Sequence, residues 1–269
     1  ILAIRNAIRS TFLCARSIMA GDLLIEHGFR AASSAMFYTG AFHGLDGFLA
    51  TRGRVMIQPA RGQARAYTTD SSELLQHESL PGDPHVICAI MARAGKWSFE
   101  SRRRNHVNRW GELKQLITSR NPALPDQVLA ALAYASHRNP NEDLHELMNA
   151  GIPALASLRH QALYEGFGYD DEAYDGVTNR ENPYGFGLNK RADMLRNLAV
   201  ELLASSLTVA EFYFDWCDKH RGDHSSVTQR IAISCSIPAF EFSTPEEGSA
   251  GPHSARVRRL AERIEAAFS

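Results

Sequence analysis

With 269 residues, 44% hydrophobic and 22% charged, the chain is long enough to bury a large core, as one large domain or a domain with an added lobe. A formal net charge of -1 excludes a chain that coats nucleic acid through overall basicity, so any such role needs a local patch. Cys14, Cys88, Cys217 and Cys235 lie far apart without a C-x-x-C pair. Neither a zinc knuckle nor a disulfide framework is expected, and reduced thiols in a cytoplasmic protein fit this usage.

The first apolar series, Leu2, Ile4, Ile8, Phe12, Leu13 and Ile18, keeps helical spacing and resumes at Leu23, Leu24 and Ile25 before Gly28. It predicts helix one, with Gly21 as the point where it could break. Arg5, Arg9 and Arg16 interrupt this series, which fits neither a secretory h-region nor a membrane span. A cytoplasmic location without membrane association is therefore expected, with room for a true start upstream. A second helix is predicted over 29–51, carrying Ala32, Ala35, Met36, Tyr38, Phe42, Leu45, Phe48 and Leu49. Its glycines, Gly40, Gly44 and Gly47, cost helix propensity but admit a neighbouring helix closely, so this helix should be central.

Residues 54–97 break the helical pattern and are expected to form a small mixed α/β insertion. Arg54-Val-Met-Ile-Gln58 and Arg65-Ala-Tyr-Thr-Thr69 are β-prone, and Pro81-Gly-Asp-Pro84 is a turn. His85-Val-Ile-Cys-Ala-Ile-Met91 suits either a strand or a buried helix. Helical spacing returns with Val107, Trp110, Leu113, Leu116 and Ile117, stops before Asn121-Pro122, and restarts at Pro125-Asp126. A further start is read at Asn139-Pro-Asn-Glu142, with Asn139 as cap, Pro140 in the first turn and Glu142 closing a capping box. A polar loop over 166–188 precedes the longest helical run, about 192–216. Residues 221–269 form a proline-punctuated tail ending in an amphipathic helix at about 254–268.

Two segments carry a family likeness. Ser34-Ala-Met-Phe-Tyr-Thr-Gly-Ala-Phe-His43 has the form S-A-x-x-Y-x-x-x-F-H, and Arg159-His-Gln-Ala-Leu-Tyr164 the form R-x-x-A-x-Y. Together they resemble the HEPN superfamily, helical modules of RNA-cleaving toxins, abortive-infection proteins and nucleotidyltransferase partners. The likeness covers mainly 22–53 and 99–217. It implies a mainly α, up-and-down HEPN-like bundle formed by 1–53 and 98–220, and homodimerisation. It also implies an RNA-associated role in a toxin, phage-defence or stress system. The competing class is a non-catalytic dimerisation or scaffold module that docks a partner protein.

Catalytic HEPN members carry arginine and then histidine, commonly R-N-x-x-x-H, for RNA cleavage without metal or other cofactor. Imidazole titrates near neutral pH and can exchange a proton with a 2'-hydroxyl, while a guanidinium can hold the phosphate. Here Tyr164 stands where that histidine is expected, and a phenol with a pKa of about 10 is a poor base at pH 7. His160 adjoins Arg159 but faces about 100° around a helix, sharing a face with Tyr164. The alternative is that Arg159 and Tyr164 tie helices together. A second arginine-histidine match, Arg138-Asn-Pro-Asn-Glu-Asp-Leu-His145, straddles the expected helix start and loses a fixed face relation.

Arg102, Arg103, Arg104, His106 and Arg109, interleaved with Trp97, Phe99 and Trp110, form the densest basic and aromatic cluster. Read as one helix, Arg102, Arg103, His106 and Arg109 share a face on which phosphates and bases could settle. The alternative is a solvated face balancing Asp170, Asp171 and Glu172. His106 also resembles the histidine that opens the third helix in some HEPN members. No P-loop, GxSxG, H-E-x-x-H or dinucleotide fingerprint is present, and Gly166-Phe-Gly168 and Gly185-Phe-Gly187 read as loop punctuation.

Overall fold

A computed structural model describes residues 2–57, 86–91, 97–102, 106–120, 124–160, 188–219 and 253–268. The β-prone 65–69, the turn at 81–84, the loop over 166–187 and the prolines of 220–252 lie outside them, as do Arg103, Arg104 and Tyr164. The described part is mainly α. Its helices are α1 (Leu2–Glu26), α2 (Arg30–Thr51), α3 (His106–Arg120), α4 (Asp126–Ser136), α5 (Leu144–His160), α6 (Leu188–Lys219) and α7 (Ser254–Phe268). Strands β1 (Arg54–Ile57), β2 (Val86–Met91) and β3 (Trp97–Arg102) lie between α2 and α3.

Helix α1 buries Ala7, Ile8, Phe12, Ala15 and Ile18 along one stripe and runs without a break through Gly21. The glycine serves packing there, since a Cβ would come within 2.6 Å of Phe37 Cδ1. The helix ends at Gly28, whose φ of +81° is left-handed. Gly28 N–H bonds Ile25 O at 2.9 Å and Phe29 N–H bonds Leu24 O at 2.8 Å, a Schellman closure.

Helix α2 is central, as its sequence predicts. It packs along both α1 and α6, and Phe37, Tyr38, Ala41, Leu45, Phe48 and Leu49 are all buried. The glycines form the seam with α6. A Cβ on Gly44 would stand 2.6 Å from Leu202 Cβ, and one on Gly47 would collide with the Ser206 hydroxyl. That hydroxyl instead donates to Gly44 O at 3.3 Å. The backbones thus meet closely enough to make Ser206, fully buried on α6, a bonded part of the seam.

The continuous apolar run at 86–91 is a strand, not a helix. The sheet is antiparallel in the order β1-β2-β3, with Arg54 opposite Ile90 and Cys88 opposite Glu100. No helix falls among the described residues of 54–97, and β3 continues to Arg102, five residues into the stretch expected to belong to the bundle.

Helices α4 and α5 form a hairpin. His137 takes a left-handed φ of 53° to close α4, and Gly151 lets α5 touch Leu132, whose O would lie 2.8 Å from a Cβ there. Of the capping box expected at Asn139 and Glu142 one half exists: Asn139 N–H reaches Glu142 Oε1 at 3.0 Å, but Asn139 Oδ1 accepts from Asn141 N–H at 2.9 Å and Glu142 N–H bonds the Asn139 carbonyl at 3.1 Å. They close a turn ahead of the helix. The α5 cap itself is Asp143, whose Oδ1 accepts from His145 and Glu146 N–H at 2.9 and 3.2 Å.

One core cluster joins these helices. It holds Tyr38, Trp110, Leu155 and Leu198, with Phe42 half-buried against it, as their helical spacing predicts. Among the described residues no helix is long and apolar enough to cross a membrane.

Candidate functional site

The polar groups that the fold concentrates lie on the inward face of α3. Arg109 and Glu112 are three residues apart and so share that face, and each meets a partner from a different element. Arg109 Nη1 donates to Asp46 Oδ2 of α2 at 2.6 Å, and its guanidinium lies over the Phe42 ring, 4.4 Å from the centroid. Phe42 and Asp46, one turn apart, thus give the arginine an aromatic floor and a carboxylate wall. Ser10 of α1 donates to the same Oδ2 at 3.5 Å. Arg54, opening β1, donates to Glu112 Oε2 at 2.7 Å and to Gln115 Oε1 at 3.3 Å.

Both ion pairs are withdrawn from water: the Arg109 and Asp46 side chains are 9% and 11% exposed, those of Arg54 and Glu112 9% and 1%. Burial pushes the Asp46 carboxyl from 3.8 to about 6, against the opposing pull of Arg109 and the Ser10 hydroxyl. Asp46 Oδ1 is buried without a hydrogen-bond partner. At neutral pH the pair remains mostly ionised and locks α2, α1 and α3 together.

Sequence reasoning did not single out Asp46, Arg54 or Glu112. A signal existed for the first: between Arg30 and Arg52, Asp46 is the sole Asp, Glu, Lys or Arg. Such a carboxylate calls for a buried cation.

The structure corrects the expected RNA face. Arg102 ends β3 and His106 begins α3, so Arg102 does not share a helix with His106 and Arg109. Arg109 points inward to Asp46. Trp110 is fully buried, and its Nε1 donates to Tyr38 Oη at 3.1 Å, so its ring has no open face for a base. The physical reason is the helical phase: Trp110, Leu113, Leu116 and Ile117 face the core, and Arg109 flanks that stripe.

Of the catalytic candidates, His145 stands apart from Arg159 and His160. His145 is exposed in the first turn of α5, whereas Arg159 and His160 are its last two residues. Fourteen residues of helix put Arg159 roughly 21 Å from His145 along the axis. Arg138, ahead of that helix, is bound to Glu142 Oε2 at 3.0 Å and Glu146 Oε2 at 3.4 Å, not to His145. His106 opens α3, and Tyr164 lies outside the described residues. Among the described residues no three His, Cys, Asp or Glu side chains gather as a metal site would require. No protein-family model, curated protein or solved structure matches this chain.

Proposed function

We propose that this chain is a HEPN-like helical module that acts by binding protein rather than by cleaving RNA. One observation carries the reading: Arg109 and Trp110, the described cation and ring best suited to RNA, are spent on Asp46 and Tyr38 inside the bundle. A guanidinium already paired in a dry site cannot also hold a scissile phosphate without breaking that pair. Among the large apolar side chains left outside, Leu23, Ile25 and Phe29 gather at the α1–α2 corner, 55%, 36% and 61% exposed, and suit contact with another protein, while Phe212 of α6 is 71% exposed. The proposed partners are a second copy and a separately encoded enzyme.

The test is cleavage of total cellular RNA by the purified full chain in the presence of a chelator. Intact RNA is expected. Chelator-resistant cleavage that leaves 2',3'-cyclic phosphate ends, and that Arg159→Ala or His160→Ala abolishes, would overturn the reading in favour of a HEPN-type ribonuclease.

A further inference from the structure

Helix α7 is held on α6 by buried apolar residues flanked by charged pairs. Val257 and Leu260 are buried, in one cluster with Leu207, Ala210 and Phe214 of α6. Arginines bracket that strip. Arg256 grips Glu211 with two bonds, Nε to Oε1 at 3.0 Å and Nη2 to Oε2 at 2.7 Å, and Nη2 also donates to Thr208 Oγ1 at 3.3 Å. Arg263 Nη1 donates to Asp215 Oδ1 at 3.0 Å, with the guanidinium 5.2 Å from the Phe214 centroid. Arg256 and Arg263 are two turns apart on α7, and Glu211 and Asp215 one turn apart on α6, so the pairs follow one seam.

The four charged side chains of this seam remain 26% to 61% exposed, where the internal pair of Arg109 and Asp46 is nearly dry. Exposed pairs are screened by salt and hold weakly. In sequence, residues 220–252 separate α6 from α7, so α7 is tied to its seat by a long stretch of chain.

We infer that this acid-rimmed apolar strip on α6 is a docking surface for a basic amphipathic helix, and that α7 of a second copy of this chain exchanges into it. The seat specifies its occupant: two guanidiniums seven residues apart bracketing a valine and a leucine. Every second copy carries that helix, and a reciprocal exchange fills both seats with contacts already made in one chain. The covalent tether favours the chain's own helix at low concentration, and exchange gains as that helix is loosened or copies are concentrated. The inference rests on the binding-module reading and adds to it a second surface, on α6, through which a second copy engages.

Two full-length variants test it. Glu211→Arg/Asp215→Arg gives the seat the charge of its helix, and Arg256→Glu/Arg263→Glu gives the helix the charge of its seat. Within either variant the two repel, but between the variants seat and helix are complementary in both directions. Light scattering should find each variant predominantly monomeric alone and an equimolar mixture forming a 1:1 dimer that dissociates as salt rises. All four substitutions in one chain should restore the parent's behaviour. A mixture with no more dimer than its components would overturn the exchange. If a double variant loses its cooperative melt, Asp215→Arg and Arg263→Glu alone, at the more exposed pair, take its place with the same two outcomes. RNA cleavage by the parent would refute the binding-module reading separately, leaving the mixing result to judge the exchange.

Discussion

Removing the Asp46 carboxylate strands a buried cation. In Asp46→Ala, Arg109 keeps the Phe42 ring beneath it but loses its 2.6 Å partner in a site where its own side chain is only 9% exposed. Breaking a buried pair from one side costs about 3 to 5 kcal/mol, a large part of a total stability of about 5 to 15 kcal/mol. Urea unfolding followed by circular dichroism should show the midpoint falling with little change in slope. The double variant Asp46→Leu/Arg109→Met removes the charge with its partner and should lie within about 1 kcal/mol of the parent or above it. A single variant within about 1 kcal/mol of the parent would refute the reasoning, because Arg109 would then be reaching water.

Acid should act on this site against the usual carboxylate trend. The Asp46 carboxyl is raised to about 6 from 3.8, so between those values the folded chain holds a proton that the unfolded chain releases. The contribution of this proton uptake to stability grows as pH falls through 6, on the order of 3 kcal/mol when complete below 3.8, and is absent at pH 7. Unfolding of the parent against Asp46→Asn at pH 7 and pH 4.5 should show the difference moving in the parent's favour on acidification; a shift the other way would mean that Arg109 outweighs burial. Phe42→Ala, half-buried under Arg109, should cost about 3 kcal/mol in a chemical melt, and an unchanged melt would remove Phe42 from the core. Gly47→Ala should cost about 1 to 3 kcal/mol by forcing α2 off Ser206. Gly111→Ala, with nothing within 4 Å of the new Cβ, should add about 0.5 to 1 kcal/mol, and equal effects at the two glycines would dissolve the seam.

Much of the helical frame was legible because it rests on periodicity. The α2 stripe with its three glycines, the restart at Asp126 and the final helix over Ser254–Phe268 follow from spacing alone, and the glycines foretold a close neighbour without saying it would be α6. Strand pairing was less legible. Val86–Met91 is apolar throughout, and only its register against Met56 and Glu100 separates strand from buried helix. Within the cluster from Arg102 to Trp110, the inward turn of Arg109 and Trp110 was not legible, for a physical reason. Arginines and tryptophans look alike in sequence whether they meet RNA or close a core, and the choice depends on carboxylate and phenol partners 63 and 72 positions away. Asp46 supplied a one-sided hint, a carboxylate in search of a cation, and sequence gave no way to choose among the arginines.

The inward turn of Arg109 and Trp110 separates a protein-binding module from a face that reads RNA, and quenching of tryptophan emission tests it most directly. In a Trp97→Phe/Trp216→Phe background, Trp110 is the sole indole. Iodide should leave its emission almost unquenched, as a fully buried ring bonded to Tyr38 requires, and added single-stranded RNA should not change that. Quenching comparable to that of a free indole, suppressed when RNA is added, would place Trp110 on an RNA-contacting surface and contradict the binding-module reading.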